Sequence, residues 1–75
     1  MAKQITASMT DFAEIIKTRR RMMKLSQAEL ARRAGVHRVT IIKAEQNPET
    51  ISLGIMLTIL HELDLNVTLT RKVVV

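Results

Sequence analysis

The stretch from Ser26 to Gln46, SQAELARRAGVHRVTIIKAEQ, constrains the fold more than any other, because it sets two short amphipathic patterns either side of one glycine. Ser26 can accept from the backbone N–H of Glu29 while Glu29 reaches back to the Ser26 N–H, a capping box that predicts a helix from Gln27. Leu30, Ala31 and Ala34 then share one face of a 3.6-residue period, with Arg32 and Arg33 turned to solvent. Gly35 tolerates a left-handed helix stop without a Cβ penalty, so the chain turns there. A second pattern resumes at about His37, with Val36, Ile41 and Ala44 inward and Arg38, Val39, Thr40 and Lys43 on other faces.

Helices joined by so tight a turn cannot lie side by side over much length, so they cross steeply, with the small Ala31 at the closest point. A small residue, a glycine four later and a β-branched Ile41 six after that is the spacing of a helix-turn-helix. Through S-Q-A-E-L-A, the G-V turn, T-I and Glu45 the sequence resembles the Cro/C1 repressor family (XRE-type), over residues 16 to 65. The resemblance implies a lambda-repressor-like, all-α domain of four helices that binds double-stranded DNA. It also implies that the arginine at Arg20 pairs with the glutamate at Glu45, and that the end of the first helix approaches the DNA backbone. Gln27 stands at the family position where a side chain and a helix N-terminus meet a phosphate.

Seventy-five residues make one small domain with marginal buried surface, which makes help from a partner chain plausible. There is no cysteine, hence no disulfide framework and no Cys/His set for a structural metal. No apolar run resembles a signal-peptide core or approaches the ~18 residues of a membrane span, so the sequence reads as a cytoplasmic protein without a membrane partner. The net charge of +5 is unevenly placed: residues 1–43 carry ten Lys/Arg against three Asp/Glu, whereas residues 44–75 carry two against four. The half with the helix-turn-helix is the basic half, as a polyanion-binding surface requires, although a solvated basic face would show the same split.

Residues 1–8 are weakly patterned and read as a flexible N-terminus. Asp11, with Glu14 three residues on, marks a first helix running to about Lys24, with Phe12, Ile15, Ile16, Met22 and Met23 on one face. Arg19, Arg20, Arg21 and Lys24 close it. They either complement the helix dipole or, for Arg19, Arg21 and Lys24, reach phosphate. Asn47-Pro48 marks a loop. The family carries glycine near Asn47, and asparagine is the next most tolerant residue of a left-handed conformation. Ser52 caps a further helix whose expected core stripe is Leu53, Met56, Leu57, Leu60 and Leu63, slightly weakened by Gly54. The methionines read as core filler, and His61 as a surface or core-edge residue rather than a ligand. The helix-turn-helix domain therefore spans residues 9–64.

Residues 65–75 change period: Leu65, Val67 and Leu69 alternate with polar residues, and three valines follow. A lone strand leaves a row of backbone groups unpaired, and residues 3–7 are poor partners, so the economical arrangement pairs this strand with its copy in a homodimer. A frayed tail is the other reading. A helix SLGIMLTILHEL followed by LNVTLT looks like the HipB-type antitoxins, which accompany HipA-type kinase toxins. That resemblance implies a homodimer joined by its C-terminal strands, repression of its own operon on a pseudo-palindromic operator, and a HipA-type kinase partner. Strand-ended dimers also suit stand-alone or phage repressors.

On a recognition helix in the major groove, the base-reading candidates are His37, Arg38, Val39 and, one turn on, Lys43. Arg38 can donate two parallel hydrogen bonds to guanine, and Val39 can pack on a thymine methyl. Thr40 can reach a phosphate or bond back into its own helix. Ile42 stands where many relatives carry a polar residue; it either reads a methyl group or packs toward the fourth helix. No cofactor is expected, and scattered carboxylates, two dissimilar histidines and the absence of a glycine-rich phosphate loop argue against an enzyme. A protein-interaction module that only holds a toxin is the alternative from another class.

Overall fold

The computed structural model describes residues 9–68; the readings for residues 1–8 and for Leu69 and the valines after it lie outside them. Four helices follow in order: α1 (Met9–Met22), α2 (Gln27–Ala34), α3 (Arg38–Gln46) and α4 (Leu53–Glu62), with a 3-10 turn at Pro48–Thr50. The core is made of Ile16 from α1, Leu25, Leu30 and Ala31 at and within α2, Ile41 and Ala44 from α3, and Met56, Ile59, Leu60 and Leu63 from α4 and its end. Apolar contributions from all four helices converge on the crossing of α2 and α3, so the helix-turn-helix is set by the rest of the domain.

The capping box at the start of α2 is complete: the Glu29 N–H donates to Ser26 Oγ at 3.0 Å and the Ser26 N–H donates to Glu29 Oε1 at 3.1 Å. The Ser26 backbone N–H first, and its hydroxyl second, hold the Glu29 carboxyl below the usual carboxylate range. Ser52 caps α4 by accepting from the Ile55 N–H at 3.2 Å.

Three helices stop by the same device. At each end one residue turns left-handed, at φ 58 for Lys24, 68 for Gly35 and 57 for Asp64. The N–H of the next residue then donates five residues back, Leu25 to Arg20, Val36 to Ala31 and Leu65 to Leu60, at 3.1, 3.0 and 2.9 Å. This is the Schellman arrangement, which satisfies carbonyls orphaned at the helix end. In each case that next residue is apolar and packs into or against the core. The first helix accordingly ends at Met22, two residues before the expected Lys24, and it is already formed at Met9, leaving Asp11 in its first turn instead of at its start.

Other expectations shift for local reasons. Asn47 takes φ −135 instead of a left-handed angle, because the Pro48 ring pushes the residue before it to extended values. The α4 core stripe is Met56, Ile59, Leu60 and Leu63, while Leu53 is 73% and Leu57 43% exposed. Leu57 lies about 100° around the helix from Met56, and Leu53 lies in the first turn, beyond the end of the core. Met22 is 67% exposed, so it is not core filler, whereas Met56 is. His61 lies on the exposed surface. Leu65 packs against the core, and residues 66–68 are exposed without regular structure.

Candidate nucleic-acid interface

α3 presents its N-terminal end to solvent. His37 occupies the N-cap in extended conformation and makes no side-chain cap bond. Arg38 and Lys43 are exposed, Val39 is 57% exposed, and Thr40 and Ile42 are half-buried. On the opposite side of the same helix Ile41 and Ala44 are fully buried. The residue types split by face: one side anchors, while the other offers two cations and an apolar patch.

The orientation of α3 is fixed by a two-pronged ion pair. Arg20 Nε donates to Glu45 Oε2 at 2.8 Å and its Nη2 donates to Oε1 at 3.1 Å, joining the end of α1 to the end of α3. The third arm of the guanidinium, Nη1, donates to the Leu25 carbonyl at 2.9 Å. The side chains are only 12% and 3% exposed, so the fork-to-fork geometry forms largely out of water. The Glu45 carboxylate, by hydrogen bond and charge, holds the Arg20 guanidinium pKa above its ordinary value against the opposing effect of burial.

Gln27, the first residue of α2, donates from Nε2 to Glu45 Oε1 at 3.4 Å. That bond was not legible in the sequence. It ties the first residue of α2 to the carboxylate that anchors α3, so Gln27 and α3 share one support. Arg19, expected beside phosphate, donates from Nε to the Leu63 carbonyl at 2.9 Å and so holds the C-terminal end of α4. Arg21 and Lys24 are exposed at the end of α1.

Sequence reasoning also missed an apolar exterior. Leu53, Ile55 and Leu57 of α4 are all exposed, and with Phe12, Ile51 and Val67 two of them border a groove of about 260 Å³. The signal was present, since apolar residues run nearly all the way around α4, more than one neighbouring core can cover. Among the described residues no group of three or more His, Cys, Asp or Glu could hold a metal, and no helix is long and apolar enough to cross a membrane.

Comparison with known proteins agrees with the four-helix fold. A family described as helix-turn-helix matches residues 16–69. Antitoxin HipB of Escherichia coli is 36% identical over 69 residues, covering 92% of this chain and 73% of that protein. HipB solved in a complex with an O2 20mer superposes with a TM-score of 0.82 at 34% identity, covering 93% of this chain and 97% of that one. HipB in a HipA-HipB-O2-O3 complex gives 0.82 at 33% identity, covering 92% and 97%. The chain belongs to the helix-turn-helix family, among the relatives of antitoxin HipB.

Proposed function

We propose that this protein is a dimeric, sequence-specific DNA-binding repressor, the autoregulating antitoxin of an operon whose toxin is a HipA-type kinase. The observation that carries the reading is α3 itself: its inner face is locked by the core and by Arg20–Glu45, while Arg38, Val39 and Lys43 stand exposed on its outer face. A helix held this way enters the major groove as a rigid reader, with Arg38 on guanine, Val39 on a thymine methyl, and His37 and Lys43 on neighbouring edges. Gln27, Thr40, Arg21 and Lys24 take phosphates, and the basic half of the chain supplies the attraction. Arg19 is a weaker phosphate ligand, since its Nε is already engaged by Leu63. The solved HipB relatives, in complexes with a 20mer and with HipA, support both partners.

The homodimer is part of the proposal. Exposed Leu53 and Leu57 and the groove beside them call for a cover, and a second copy joined through strands at residues 65–75, with Leu65, Val67 and Leu69 in the pairing, supplies one. The chain then divides into an N-terminal segment at 1–8, the DNA-binding domain at 9–64 and the dimerising segment at 65–75, working in the cytoplasm on the nucleoid. Two recognition helices about 34 Å apart read half-sites one turn apart. A gel-shift titration against the DNA upstream of its own gene, repeated at raised salt, tests this. Saturable binding that weakens steeply with salt is expected; equal affinity for that fragment and random duplex would refute sequence-specific repression.

A further inference from the structure

One apolar residue of the reading helix is left without a role. Ile42 is half-buried, yet among the described residues it is not one of the partly buried apolar side chains that pack on the core; those are Phe12, Met23, Ala34, Val36, Ile51 and Leu65. It lies three residues after Val39, so the two side chains neighbour each other along one side of α3. Arg38 precedes this apolar pair and Lys43 follows it, both exposed. The helix therefore carries an apolar strip bracketed by cations.

Each base pair presents donors and acceptors in the major groove, but the thymine 5-methyl is its one apolar feature. Flanking cations draw such a strip against a polyanion. We infer that Ile42 is a specificity-determining residue of this chain, closing with Val39 a pocket for a thymine methyl next to the guanine read by Arg38. The inference rests on the proposed DNA reading, and its consequence is a half-site preference for thymine that is sensed through the methyl group. Removing one methyl from that pocket exposes apolar surface comparable to one CH₂, which corresponds to about a fourfold loss of affinity per half-site.

The test uses the full chain and duplexes chosen by selection from a random library. Each thymine of the preferred half-site is replaced in turn by uracil, which keeps every hydrogen bond and deletes only the methyl. For the unaltered protein one position is expected to lose about fourfold in affinity per half-site. Ile42→Ala should bind the thymine and uracil duplexes nearly equally, Ile42→Val should keep part of the difference, and Arg38→Ala should keep it while losing guanine preference. Thermal melts of each variant report folding independently of binding. If specific duplexes are selected but no position responds to uracil, or Ile42→Ala keeps the full thymine-to-uracil ratio, the assignment of Ile42 is overturned while the repressor reading stands. If no sequence is selected at all, the repressor reading fails and takes this one with it.

Discussion

Replacing Arg20 by methionine should cost this domain more stability than any other single polar change. The side chain makes three hydrogen bonds, two of them to a carboxylate whose own side chain is 3% exposed. Its loss strands a buried charge whose remaining bond is the long one from Gln27, at 3.4 Å, and also frees the Leu25 carbonyl. Removing one partner of a buried pair costs about 3–5 kcal/mol, and the slight exposure of Arg20 places the effect near about 3 kcal/mol. A domain of this size has about 4–11 kcal/mol in all, and about 3 kcal/mol corresponds to a melting-point drop of about 12–24 °C. Glu45→Leu should cost less, because the guanidinium it leaves can turn toward water and still holds Leu25. The double change Arg20→Met with Glu45→Leu should recover most of the loss, since apolar replacement of a whole buried pair is often neutral or stabilising. Circular-dichroism melts and urea titrations at one fixed protein concentration read all three, the concentration mattering because dimerisation shifts the midpoint. A coupling energy within about 0.5 kcal/mol of zero would contradict the claim that this pair fixes the recognition helix.

Other outcomes follow from the helix ends. Lys24→Gly relieves a left-handed non-glycine residue and should raise stability by about 1 kcal/mol while lowering DNA affinity for all sequences alike and reducing the salt slope by about 1. Thermal melts and salt titrations would separate the two effects, and an unchanged affinity would remove Lys24 from the phosphate contacts. Gly35→Ala should cost about 1–2 kcal/mol in urea titrations from its φ of 68 alone, because a Cβ there meets nothing within 4 Å. Since folding lowers the Glu29 pKa, the box contributes fully above the unfolded value and its contribution fades as pH falls through the lower folded one. Melting points followed from about pH 6 to about pH 3 should therefore drop further for the native chain than for Glu29→Gln.

What the sequence discloses and what it hides divide along physical lines. The start of α2, its glycine stop and the inward faces around Ile41 were legible because caps, left-handed turns and helical periods are local chemistry, written within a few residues. The stops at Lys24 and Asp64 were not, since lysine does not favour φ near +60 and aspartate only tolerates it; what fixes them is the burial of Leu25 and the packing of Leu65, which are tertiary facts. The same holds for α4, where Leu53 and Leu57 look like core by composition and only the neighbouring helices decide which side is covered. In the site, Arg38, Val39 and Lys43 could be singled out by spacing from the glycine, whereas the Gln27–Glu45 and Arg19–Leu63 bonds span 18 and 44 residues and depend on the packed domain. Arg20 and Glu45 came from family likeness, not from spacing.

The central claim, that the exposed end of α3 reads bases, is tested most directly by selecting preferred duplexes in parallel for the native chain and for Arg38→Ala. The account predicts that the native chain enriches a two-fold-related pair of half-sites about one helical turn apart, and that Arg38→Ala loses guanine preference at one position in each while the rest of the site persists. An identical preferred sequence for both proteins would contradict it.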